Sequence, residues 1–178
     1  EYNPYNRHGD LSRRGMYRPI GINRNNFVAI TQLRPYMPHD LQGVEWIAVG
    51  SNTFNEAVPF YTHINATPAY LANTTGDVTT ESFYWANRIV AAMADAHYPA
   101  CLAHVERYQL ALSTAGHAML KRFDEQYLAA PEKDAAAYLT ACNQQLADKA
   151  RELTDDLLSK VLFSASMEMK NGFHMSDF

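Results

Sequence analysis

The apolar positions in the first part of the chain form short runs that predict β-strands. The runs are rich in β-branched and aromatic residues and lie between Gly, Pro and Asn, at residues 27–30, 44–49 and 57–61. Short apolar runs bounded in this way are typical of strands. The run at 44–49 is nearly continuous in apolarity, which predicts a strand covered on both faces. Residues 52–55 predict a turn, so that 51–61 completes a hairpin.

From about residue 80 onward the apolar spacing changes to the spacing of helices. Thr79 or Thr80 can cap the first helix, and Pro99 is expected to end it shortly after His97. The apolar side chains of this helix recur four residues apart, at Trp85, Ile89 and Met93. This spacing places them on one face of the helix.

Two longer apolar stripes follow, separated by a loop that contains Pro131. The first stripe consists of Val105, Tyr108, Leu112, Ala115 and Met119. The second consists of Leu139, Cys142, Leu146, Ala150, Leu153, Leu157 and Val161. Two long amphipathic helices joined by a short loop pack most simply as an antiparallel hairpin. We therefore predict an α+β chain, with a β-rich portion at residues 1–80 and a helical portion at 81–178.

Composition and charge narrow the classes of protein that the chain can belong to. With 47% hydrophobic and 19% charged positions in 178 residues, it has the composition of a soluble globular protein. The formal net charge of −4 argues against nucleic acid as a partner, because phosphate binding needs a basic surface. No apolar run approaches the ~20 residues of a membrane-spanning helix.

The cysteines and histidines offer little catalytic or metal-binding potential. Cys101 and Cys142 form no CxxC pair, and we interpret both as thiols of a reducing compartment. Cys142 lies in an apolar stripe, where burial makes a thiol inert, and Cys101 lacks a local activator. His97, Cys101 and His104 have metal-ligand spacing, but Pro99 interrupts the helix that would align them. We predict no metal site.

An arginine-rich stretch at residues 10–20 is the strongest candidate for a binding site. Arg13, Arg14 and Arg18 lie within six residues, beside a Gly and a Pro. Guanidinium groups in such loops bind carboxylates bidentately, and a short peptide carries a terminal carboxylate. The alternative is a solvated loop whose arginines pair with nearby acidic residues.

Seven stretches together resemble bacterial dipeptidases of the dipeptidase A type. They are residues 10–20, 23–25, 30–35, 44–50, 58–61, 67–68 and 82–86, in the expected order. The resemblance implies a cysteine dipeptidase of the N-terminal-nucleophile hydrolase superfamily, with an αββα sandwich followed by long C-terminal helices. Its nucleophile would be the first cysteine of the mature enzyme, with the α-amino group as base. It implies neither a metal nor an organic cofactor.

The chain departs from this family pattern because it starts at Glu1, with neither cysteine near the start. We therefore expect one incomplete domain, inactive alone, whose partners are a short peptide substrate and the missing N-terminal half of the enzyme. The resemblance implies that Arg14 or Arg18 supports the thiolate or the oxyanion. A cytoplasmic location is expected, and homo-oligomerisation stays open. The alternatives are a non-catalytic helical binding module and a related amide hydrolase acting on non-peptide amides.

Overall fold

The structure, a computed structural model, describes residues 25–169. Three strands form one antiparallel sheet: β1 Phe27–Leu33, β2 Gly43–Val49 and β3 Val58–Tyr61. A 3-10 turn, His39–Leu41, lies between the first two strands. The helices that follow are α1 Ala69–Ala72, α2 Phe83–Ala96, α3 Tyr98–Ala129 and α4 Ala135–Met167. The predicted α+β class, the three predicted strands and the β2–β3 hairpin are confirmed.

One face of the sheet packs against helix α3, and we call it the α3 face. Side chains alternate between the two faces of a strand, and the register places Trp46 opposite Ile30 and Pro59. The ring centroids of Trp46 and His117 are 4.6 Å apart. A Cβ atom at Gly116 would approach Pro59 Cδ to 2.8 Å, so this glycine lets α3 approach the sheet closely.

The opposite face of the sheet, which we call the pocket face, carries Glu45, Ile47 and Val49 of β2. These side chains are half-buried, whereas Val44 and Ala48 on the α3 face are buried. No residue of β2 is exposed, and Ile47 and Val49 pack against the core, so the predicted cover on both faces is confirmed in part: it is looser on the pocket face. Glu45 favours this looser cover, because removing an unpaired carboxylate from water costs far more than burying an aliphatic side chain gains.

Helix α2 begins later than predicted, and its buried face is shifted by about one position. Ser82 caps it by accepting a hydrogen bond from Trp85 N at 3.4 Å, so the predicted cap at Thr79 or Thr80 is wrong. The buried face consists of Phe83, Ala86, Asn87, Val90, Ala91 and Ala94. The predicted stripe is only half-buried, since Trp85 Nε1 donates to Thr75 O at 2.7 Å and holds the indole beside an exposed loop.

Pro99 separates α2 from α3, as predicted. Helix α2 ends at Ala96, and α3 begins at Tyr98 with Pro99 in its first turn. A proline is tolerated there because the first backbone N–H groups of a helix have no intrahelical acceptor. Helices α2 and α3 are therefore distinct, and the interruption that the sequence predicted is confirmed.

The two long helices form the predicted hairpin. Helix α3 has 32 residues and α4 has 33, and Asp134 caps α4 by accepting a hydrogen bond from Ala137 N at 2.9 Å. Leu112, Leu146 and Leu157 of the predicted stripes are buried, but Leu153 is only half-buried. Along residues 25–169 no helix has the length and apolarity needed to cross a bilayer.

Candidate functional site

A pocket of about 300 Å³ lies between the pocket face of the sheet and the segment that leads into α1. Its lining combines apolar side chains with one carboxylate and a few uncharged polar groups. The lining residues are Glu45, Ile47, Phe60, Tyr61, Thr62, Ile64, Thr67, Pro68, Leu71 and Asn143. A concave, mostly apolar site with few polar groups is typical of small-ligand binding.

The strands fix the floor of this pocket. Glu45 lies directly opposite Phe60 in the β2–β3 register, and Ile47 lies opposite Val58, so all four side chains share the pocket face. Within residues 25–169, the Glu45 carboxylate forms neither an ion pair nor a hydrogen bond. The floor therefore presents an acceptor group beside aromatic and aliphatic surface.

The wall opposite the floor comes from the segment between β3 and α1. Ile64 and Leu71 supply its aliphatic surface, and Pro68 starts helix α1. Asn65 N donates to Thr140 Oγ1 at 2.9 Å, which ties this segment to α4. The wall is therefore held by a contact with a long helix.

Asn143 of α4 holds the outer edge of β3. Its Nδ2 donates to Tyr61 O at 2.9 Å, and its Oδ1 accepts from Tyr61 N at 2.9 Å. The Asn143 amide thus satisfies both backbone groups of Tyr61, as a neighbouring strand would. Because Asn143 is fully buried, these two bonds fix the position of β3 relative to α4.

A buried ion pair supports the other side of Tyr61. Arg34, only 4% exposed, contacts both carboxylate oxygens of Asp124, at 2.5 and 3.2 Å, and donates to Leu41 O. Tyr61 Oη donates to Asp124 Oδ1 at 2.8 Å. Burial, followed by the charge of Asp124, raises the pKa of Tyr61 far above its ordinary value. Arg34 is therefore a structural residue that orients Asp124 and is not available to a ligand.

The loop after β2 holds two buried polar atoms whose partners are not found within residues 25–169. They are Ser51 Oγ and Asn52 Oδ1. The loop is fixed by Gly50, whose φ of +80° suits glycine, and by Asn55, whose amide donates to Val49 O. Buried polar atoms nearly always have a protein or water partner.

The two cysteines are poor nucleophiles. Cys101 and Cys142 are free thiols with 0% and 1% exposure. Burial raises the pKa of both, and the charge of Glu168 adds to the shift at Cys101. Both therefore stay protonated at neutral pH, and the thiol is a much weaker nucleophile than the thiolate. The prediction that Cys142 is buried in its helix stripe is confirmed.

Other residues that the sequence singled out do not form a site in the described part of the chain. Arg14 and Arg18 lie outside the described residues. His97 Nδ1 lies 2.8 Å from Glu168 Oε2, so its ring is engaged in a surface contact. Across residues 25–169 no group of three or more His, Cys, Asp and Glu side chains is placed to hold a metal ion.

Sequence reasoning missed the pocket and the ion pair beneath it. Glu45 did leave a signal, because it is the single charged residue in the apolar run at 44–49. The pair of Arg34 with Asp124 spans 90 residues and leaves no periodic pattern. Asn143 likewise gave no local sign of its contact with Tyr61, 82 residues away.

Comparisons with known proteins give a consistent family. Peptidase family C69 matches residues 1–111. A dipeptidase of Bifidobacterium longum is 41% identical over 99% of this chain and 40% of that protein. A probable dipeptidase A of Streptococcus pyogenes is 41% identical over 99% of this chain and 36% of that protein. A probable dipeptidase B of Lactococcus lactis is 36% identical, again over 99% of this chain and 37% of that protein. The chain thus spans about two fifths of the length of these relatives.

Proposed function

We propose a dipeptidase function for this chain, which belongs to peptidase family C69. The observation that carries the proposal is 41% identity to a curated dipeptidase over 99% of the chain. In this proposal the chain forms the C-terminal portion of a cysteine-type enzyme that hydrolyses dipeptides. The two reduced thiols support a cytoplasmic location, since disulfides are rare there.

We propose further that the nucleophilic thiol belongs to a part of the enzyme that this chain does not contain. Cys101 and Cys142 are buried and have raised pKa values, which argues against either as the attacking group. The relatives are more than twice as long as the region that they share with this chain, which leaves room for a catalytic portion.

The exposed side chains of strand β1 support the proposal that the rest of the enzyme packs against this strand. Phe27 and Leu33 on the pocket face are 59% and 75% exposed, and Ile30 on the α3 face is 56% exposed. A strand with large exposed apolar side chains and one strand neighbour within residues 25–169 is an aggregation hazard unless more protein covers it. We expect the rest of the αββα sandwich to cover β1.

The test is a dipeptide panel with the complete enzyme and, separately, with residues 1–178. We expect the complete enzyme to release amino acids and the shorter chain to release none, because catalysis does not survive loss of its nucleophile. Absence of hydrolysis by the folded complete enzyme contradicts the dipeptidase function. Activity of residues 1–178 that Cys101→Ser or Cys142→Ser abolishes contradicts the location of the nucleophile.

For Arg14 and Arg18 we propose a supporting role at the thiolate or the oxyanion. Loss of one such preorganised donor lowers turnover by about 100- to 1000-fold for every dipeptide. An arginine that instead holds the substrate carboxylate would affect free dipeptides and spare their C-terminal amides. Arg14→Ala and Arg18→Ala are therefore compared on both substrate types, and wild-type turnover of both folded variants on both types contradicts the assignment.

A further inference from the structure

We propose, on the basis of the dipeptidase function above, that the pocket on the sheet binds the N-terminal residue of the dipeptide. In this assignment the Glu45 carboxylate receives the α-ammonium group of the substrate. The apolar lining of the pocket receives an aliphatic side chain of the same residue. Glu45 is thereby a specificity-determining residue for a free N-terminus.

The charge of the pocket favours a cationic group. Glu45 is the sole charged side chain among the described residues that line it. The α-amino group of a peptide has a pKa of about 7.7–8.0, so it is mostly protonated at pH 7. A half-buried carboxylate binds an ammonium group more strongly than a fully solvated one does, because water screens the pair less.

The same charge sets the orientation of the substrate. The C-terminal carboxylate of a dipeptide would be repelled by Glu45. The described lining holds no cationic side chain to offset this repulsion, and Asn143 already uses its Oδ1 and one of its two Nδ2 hydrogens on the backbone of Tyr61. The amino end therefore enters the pocket, and the carboxylate end lies elsewhere in the enzyme.

The size and walls of the pocket suit a whole N-terminal residue whose aliphatic side chain lies against the apolar wall. Its volume of about 300 Å³ lies at the lower end of the range for ligand pockets, roughly 300–1,000 Å³. Ile47, Phe60, Ile64 and Leu71 provide apolar surface beside Glu45. Dipeptides with N-terminal Leu or Ile should therefore bind more tightly than those with N-terminal Gly.

The pocket lies next to the surface of β1 that we expect the catalytic portion of the enzyme to cover. The register puts Thr31 of β1 directly opposite Glu45, and the exposed Phe27 and Leu33 lie on the same face of the sheet. The pocket thus adjoins the surface that we assign to the rest of the enzyme. A substrate held by Glu45 can then extend towards a nucleophile supplied from that side.

The experiment measures competitive inhibition of the complete enzyme at pH 7 by leucinol and by 4-methylpentan-1-ol. Both carry the same aliphatic chain and neither has a carboxylate or a scissile amide, but only leucinol has an ammonium group. Glu45→Gln should weaken inhibition by leucinol about 10- to 100-fold, the cost of losing one charged hydrogen bond. It should leave inhibition by 4-methylpentan-1-ol unchanged.

The matched control is Glu125→Gln, which makes the same substitution at an exposed position of α3 paired with Lys121. It should change neither inhibition constant. If Glu45→Gln is folded and keeps the wild-type inhibition constant for leucinol, the ammonium site is wrong.

A second variant tests the apolar wall without touching the charge. Leu71→Ala should weaken inhibition by leucinol about 10-fold, and inhibition by alaninol less than about twofold, since only the longer side chain reaches the wall. Equal effects on the two inhibitors contradict the pocket. If the wild-type enzyme cleaves no dipeptide, the dipeptidase function fails. Calorimetric titration of leucinol into wild type and Glu45→Gln then still tests the ammonium site. Loss of leucinol binding in the variant supports the site, and equal binding to both proteins overturns it.

Discussion

The buried ion pair between Arg34 and Asp124 gives a sharp prediction about stability. Asp124→Asn removes the negative charge that neutralises Arg34, whose side chain is 5% exposed, while that of Asp124 is 13% exposed. Because the guanidinium stays charged and buried, loss of its partner should cost about 3–5 kcal/mol. Tyr61 also loses a charged acceptor for its hydroxyl, since it donates to Asp124 Oδ1 at 2.8 Å.

The matched control makes the same substitution in an exposed pair. Asp156 lies 2.5 Å from Lys160 Nζ, and its side chain is 57% exposed. Exposed pairs of this kind contribute about 0–1 kcal/mol, because solvent screens them and both side chains lose rotamer freedom. Asp156→Asn should therefore leave the stability of the protein almost unchanged.

Urea unfolding of the two variants and the wild type measures the difference. With a slope of about 2–3 kcal/mol per molar urea, Asp124→Asn should lower the unfolding midpoint by about 1–2.5 M. Asp156→Asn should shift it by less than about 0.5 M. A midpoint for Asp124→Asn that matches the control would refute the structural role of Arg34, and would leave its guanidinium available for a ligand.

Three further predictions test the thiols, the tyrosines and the helix stripe. Burial raises the pKa of Cys101 and Cys142, so iodoacetamide at pH 8 should label them slowly in the folded protein and rapidly in urea; fast native labelling, seen by intact mass, contradicts their burial. Burial raises the folded-state pKa of Tyr61, Tyr70 and Tyr108 above the ordinary 10.0, so the protein should lose stability as the pH rises above 10 and only the unfolded chain ionises. The urea midpoint should therefore be lower at pH 10.5 than at pH 8. Equal midpoints at the two pH values argue against buried hydroxyls. Leu146 is 1% exposed, so Leu146→Ala should lower the free energy of unfolding by about 2–5 kcal/mol. Leu153→Ala should lower it clearly less, because Leu153 is half-buried. Equal losses of stability in urea unfolding would contradict this difference in burial.

Local pattern predicted most of the elements of this fold. The strands at 27–30, 44–49 and 57–61 and the hairpin of long helices follow from spacing, turn residues and Pro131. Spacing did not fix the buried face of α2, because aromatic residues occupy adjacent positions at Phe83, Tyr84 and Trp85. Large apolar side chains then lie on more than one face of the helix, and contacts with the rest of the chain select the face that is buried.

The candidate site was less accessible to sequence reasoning because long-range contacts build it. Asn143 and Asp124 reach β3 and Arg34 from the helical hairpin, and no local pattern encodes such partners. Glu45 is the exception, since a charge inside an apolar strand indicates a face that stays in contact with solvent or ligand. The predicted Arg14 and Arg18 lie outside the described residues and stay predictions.

The proposed location of the catalytic thiol, outside this chain, is tested most directly by replacing both cysteines of the chain in the complete enzyme. We predict that Cys101→Ser combined with Cys142→Ser keeps kcat/KM for a Leu-containing dipeptide within about threefold of wild type, because neither thiol is the nucleophile. Inhibition of that variant by iodoacetamide should persist, since the reacting thiol lies elsewhere. A folded double variant that loses hydrolysis by more than about 1000-fold contradicts the account, because a catalytic cysteine would then lie within these 178 residues.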